Sequence, residues 1–83
     1  MNWGDKMSKY SVLIQYDNID DIYVASIPEL QGCTAHGRTQ EEAFREVNIV
    51  RDMWIETAKE EGVLIPEPAL FNLSGFNSPQ LAA

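Results

Sequence analysis

Eighty-three residues leave room for one small domain, which buries only about 60% of the surface its unfolded chain would expose. A hydrophobic fraction of 45% is too high for a disordered acidic tail, and thirteen acids against six bases, a net charge of −7, provide no basic stripe for a nucleic-acid surface. The single Cys excludes an internal disulfide, and no apolar run is long enough for a signal or membrane segment, so the chain reads as cytoplasmic, with oligomerisation the remaining support for so small a core.

Met1 to Ser8, "MNWGDKMS", has no periodicity and reads as a disordered or tag-like leader ahead of a domain expected over 9–73. From Tyr10, "YSVLIQYD" alternates: Tyr10, Val12, Ile14 and Tyr16 fall on one face of a strand, and Ser11, Leu13 and Gln15 on the other. "DNIDD", Asp17 to Asp21, is a turn whose Asp and Asn side chains bond their own backbone, and the β-rich "IYVASI" after it completes a hairpin. Pro28 ends that strand because it has no N–H for a ladder, and "PELQG" carries the chain round to a short third strand, "CTAHGR".

Thr39 followed by Glu42 has the spacing of a capping box, in which the hydroxyl accepts from the third helical amide and the Glu reaches back to the cap amide. The helix it opens is expected to run to about Glu61, with Gly62 as its left-handed terminator and Pro66 and Pro68 forbidding continuation. Ala43, Val47, Val50, Trp54 and Ala58, with Phe44 on the flank, form the stripe that covers the sheet. Ile49 and Met53 point away from it as a surplus apolar pair, either scattered surface hydrophobes or an oligomer contact. "ALFNL" adds at most one edge strand, and 74–83 has the composition of a flexible tail. The class is therefore α+β in two layers: a three- to four-stranded antiparallel sheet, β-β-β-α-β in order, with one long helix on one face. Leu13, Ile22 and Val24, where they face the uncovered side, ask for a partner or a second copy.

Chemistry is thinly represented. Cys33 and His36 are three apart on a strand and project to opposite faces, which argues against a thiolate–imidazole pair. The adjacent helix acids, Glu41 with Glu42 and Glu60 with Glu61, diverge, and a transition-metal site wants more His or Cys than the chain has. Asp17, Asp20, Asp21 and Glu29 could supply a carboxylate pair, yet no spacing sets two of them at a working separation. No glycine loop precedes a Lys-Ser/Thr pair. The expectation is a non-enzyme with no catalytic, cofactor or metal residues.

Taken in order, "YSVLIQYD", "YVASIPELQGCTAHGRTQEEAFREV", the long helix and "GVLIPEP" resemble the HicB antitoxin family, also described as HicB-like or UPF0150, from about Tyr10 to Pro68. The most specific parts are Tyr23-Val24, Ile27-Pro28-Glu29-Leu30, Gly32-Cys33, Gly37, the Thr39 to Ala43 cap and Pro66-Glu67-Pro68. The resemblance implies an incomplete ribonuclease-H-like fold and the role of antitoxin in a two-gene module. Its partner would be a small basic HicA-like toxin of double-stranded-RNA-binding-like fold that cleaves mRNA with a histidine, neutralised by covering that surface. Many members also oligomerise and repress their operon through a C-terminal DNA-binding domain. Fifteen residues follow Pro68, too few and too interrupted by Gly and Pro for such a domain, so the resemblance is to a stand-alone short form with no direct nucleic-acid binding expected. Ribonuclease-H activity is not implied, since its metal-binding acids are not displayed.

On that reading, partner-binding candidates are Glu29 and Leu30 in the exposed connection and Asp20 and Asp21 at the hairpin tip, against the plainer one that these are turn and solvent-facing residues. Two other functions stay open: a stand-alone HicB-like interaction or regulatory module without a toxin, and a small acid-dependent hydrolase or nuclease.

Overall fold

The computed structural model describes residues 6–71. Three strands, β1 (Leu13–Asp17), β2 (Ile22–Ser26) and β3 (Thr34–Gly37), are followed by one helix, α1 (Gln40–Glu61). The sheet has the order β1-β2-β3 with both pairings antiparallel. Residues 63–71 run back without regular structure, so Ala69 to Phe71 add no strand; Asn72, Leu73 and the expected tail lie outside the described residues, as do positions 1–5 of the expected leader. The rest of that leader is tied down, since Met7 packs against the core and its carbonyl accepts from Arg51 Nη1 at 2.8 Å.

Register sorts the side chains into two faces. Ile14, Ala25 and Ala35 form one cross-strand row, and Tyr16, Tyr23 and Gly37 the next, both on the face that α1 covers. Small residues here let the helix come close: Ala25 and Ala43 are wholly buried, and a Cβ at Gly37 would stand 2.5 Å from the Ala43 nitrogen. Tyr16 lies beyond the helix's reach at 55% exposure, its ring 5.4 Å from that of Tyr23.

Ile27, Leu30, Val47 and Ile55 are the largest fully buried side chains, each contributing on the order of 2 kcal/mol of burial free energy. Val50 and Trp54, expected within the helical stripe, are half-buried and pack against the core from its edge, whereas Ile55 is in the core and Phe44, expected on the flank, is exposed. The packed stripe is therefore wider than a chain of three- and four-residue steps, as a helix lying flat on a sheet requires.

Both helix ends are capped. Thr39 Oγ1 accepts from the Glu42 amide at 3.0 Å, as the spacing requires, but Glu42 Oε1 takes the amide of Arg38 at 2.6 Å instead of that of Thr39. The box thus closes one residue upstream, where β3 hands over to the helix. At the other end Gly62 has φ 68°, and the amides of Gly62 and Val63 return to the carbonyls of Lys59 and Ala58, a Schellman closure.

Candidate protein-binding surfaces

The connection from β2 to β3 is two turns in series. The Leu30 amide donates to Ile27 O and the Cys33 amide to Leu30 O, each at 3.0 Å, with Gly32 at φ 81° in the second turn. That path rotates Leu30 inward to 1% exposure. The expectation of Leu30 as an exposed contact is corrected: the polar composition of "PELQG" concealed a side chain that the double turn returns to the core.

Glu29 is likewise engaged within the fold. Its Oε2 accepts from the Ser11 amide, the Ser11 hydroxyl and the Ala69 amide, each at 2.9 Å. Burial pushes its pKa up and is the largest single influence, yet the amides of Ala69 and Ser11, its own backbone and the Ser11 hydroxyl together hold it below its ordinary value. Oε1 is buried with no hydrogen-bond partner among the described residues. Tyr10 donates its hydroxyl to Pro66 O, and Lys6 pairs with Glu67 at 2.8 Å. Glu29 thus belongs to a set of ties that fasten residues 65–69 to the start of the sheet, a role its loop position did not reveal.

Asp20 and Asp21 are exposed at the hairpin tip. Asp21 has φ 57° and accepts the Tyr16 hydroxyl at 2.7 Å, while Asp17 Oδ1 accepts from the Ile19 amide at 3.0 Å, the self-bonding expected of a turn Asp. The sheet face opposite α1 carries Leu13, Gln15, Ile22, Val24, Thr34 and His36; Leu13 is 47% exposed, and Ile22 and Val24 are half-buried. Cys33 lies on the core side and His36 on the open side, so the structure does not bring them together. Burial raises the Cys33 pKa, with the Arg51 charge opposing it.

Ile49 and Met53 stand on the outer face of α1, at 51% and 60% exposure. They flank two shallow apolar hollows, which sequence periodicity alone did not show. Phe44, Arg45, Asn48 and Ile49 line one; Val50, Met53, Trp54 and Val63 line the other. The second exists because the Schellman turn folds Val63 back beside Ala58 and because Trp54 is pinned by its Nε1–H, which donates to Gln31 O at 2.9 Å. Among the described residues no group of His, Cys, Asp and Glu is arranged to hold a metal ion, and no helix is long and apolar enough to cross a membrane.

A family model described as UPF0150-like matches residues 13–66, from the start of β1 to the segment after α1. A UPF0150 protein of Synechocystis is 42% identical over 57 residues, covering 69% of this chain and 77% of that protein. One of Thermoplasma acidophilum is 36% identical over 58 residues, covering 70% and 83%. No solved structure matches the chain.

Proposed function

We propose that this chain, which belongs to the UPF0150-like family, is an antitoxin-type binding protein that neutralises a small basic, HicA-like, mRNA-cleaving toxin. The observation that carries this reading is the distribution of its acid. Of the described acids, Glu29 and Glu42 accept backbone amides inside the fold, whereas Asp20, Asp21, Glu46, Glu56 and Glu60 all face solvent, Asp21 while it holds the Tyr16 hydroxyl. A surface so charged draws a basic protein at rates that fall with salt, and it repels RNA, so the chain acts on the enzyme and not on its substrate. Asp20 and Asp21, at the far end of the hairpin, add to that attraction, and the apolar positions of the open sheet face suit a second copy.

The function is non-catalytic: inhibition follows from occupying the toxin's RNA-binding surface. The deciding experiment co-purifies the full chain with any small basic protein encoded beside it and assays RNA cleavage before and after the two are separated. Cleavage that appears on separation and is silenced when the chain is returned supports the proposal. A basic protein that neither binds nor is silenced removes it and leaves a stand-alone interaction module.

A further inference from the structure

Along the outer face of α1 an apolar ridge sits in an acidic frame. Ile49 and Met53 are one turn apart, and each borders one of the two apolar hollows. Glu46, Asp52, Glu56 and Glu60 surround them, against Arg45 on the same face and Lys59 at its edge. Asp52 is partly neutralised by Arg51, whose Nε and Nη2 both lie 3.0 Å from its Oδ1. Glu46, Glu56 and Glu60 make no ion pair among the described residues.

Two side chains that project from a helix and border hollows are the geometry of an anchor, in which a partner's apolar groups seat on either side of the ridge and the charged rim selects which partner does so. A second copy meets the rim badly. A two-fold contact presents the same patch from both sides, so it would set this excess of carboxylates against itself. A partner with apolar side chains for the hollows and Lys or Arg at their margins satisfies both features. Resting on the function proposed above, we infer that the outer face of α1, centred on Ile49 and Met53, is the surface that grips the basic partner.

The test measures binding of the basic protein recovered with the chain in the experiment above to four full-length forms: wild type, Glu56→Lys with Glu60→Lys, Ile49→Ser with Met53→Ser, and Asp20→Lys at the hairpin tip. The helix positions altered are all exposed, so folding, checked by circular dichroism, is retained. The charge variant is expected to bind about 30-fold or more weakly with a flatter salt dependence, and the apolar variant to dissociate about 10-fold or more faster, whereas Asp20→Lys slows association less than about 3-fold. Wild-type-like binding by both helix variants, or a larger loss from Asp20→Lys, overturns the inference while the antitoxin reading stands. A change in oligomeric state of the apolar variant with partner binding intact assigns the face to a second copy and also overturns it. Failure of the wild type to bind the basic protein removes both readings together.

Discussion

Ala69 donates its backbone N–H to Oε2 of Glu29 at 2.9 Å, across forty residues of chain, and the same oxygen accepts the amide and hydroxyl of Ser11. One carboxylate oxygen therefore joins the approach to β1, the loop before β3 and the segment beyond α1. The donors favour the ionised form, so the folded-state pKa lies below the ordinary value of 4.5. A depressed acid pKa gives stability that is complete above the unfolded value and is lost as pH falls through the folded one. Glu29→Gln is therefore expected to lower stability by about 1–2 kcal/mol at pH 7, since the donors lie near solvent. Urea denaturation from pH 7 to pH 3 checks this: the two midpoints should converge on acidification. A gap that stays constant across that range would show that the charge is not what the donors hold.

Gly37 and Gly32 make opposite predictions from the same substitution. At Gly37 an added Cβ would lie 2.5 Å from Ala43 N and 2.8 Å from Glu42 C, both backbone atoms of the first helical turn. Backbone cannot rotate aside, so Gly37→Ala must displace the helix from the sheet, at an expected cost of about 3 kcal/mol or more. At Gly32 nothing lies within 4 Å of the added atom, and the cost is the left-handed φ of 81° alone, about 1 kcal/mol. Thermal denaturation of both alanine variants should show the large loss only at Gly37, and comparable losses would contradict the close approach.

Leu30 separates a packing role from a contact role. At 1% exposure it fills the core between the turns and α1, so Leu30→Ala should leave a cavity and destabilise by about 2–5 kcal/mol. In a domain of this size that removes much of the total stability, and any loss of partner binding should follow the fraction folded. Binding measured with folding restored by a stabilising osmolyte distinguishes the two: a packing residue recovers its affinity and a contact residue does not.

What the sequence made legible is what local chemistry decides. The Asp-rich turn, the Thr39 and Gly62 caps and the inward side of Tyr10, Val12 and Ile14 follow from neighbours within a few residues, and all appear in the structure at their expected places, whereas Tyr16 on the same face is exposed. The misreadings have a common cause in longer range. Glu42 bonds Arg38 because Gly37 brings the strand end against the helix, and Leu30 turns inward because two turns run in series. Ile55 falls outside the periodic stripe because one chain of helical steps cannot represent a broad contact. Glu29 could not be placed from its loop, since its partners are 18 and 40 residues away. On the outer face, the Ile49–Met53 pair was visible in the periodicity, but the hollow beside Met53 depends on how Val63 and Trp54 are set by the cap and by Gln31.

Cys33 offers a readout of core opening that needs no label beyond its own thiol. It is 1% exposed, unbridged, and carried on the core side just before β3. Burial raises its pKa, which disfavours the reactive thiolate, while the Arg51 charge works in the other direction. In the native protein, reaction with an aromatic disulfide reagent should therefore wait on opening of the β2–β3 connection. The rate is expected to be slower than that of an unfolded control by about the opening equilibrium constant, a factor on the order of a thousand or more if opening is global. Leu30→Ala should accelerate it in proportion to the stability lost, and Asp20→Lys at the remote hairpin tip should leave it unchanged. Labelling at the unfolded rate in the folded wild type would contradict the buried position of Cys33, because no thiol sealed beneath Leu30 and α1 can meet a reagent of that size without those elements first moving apart.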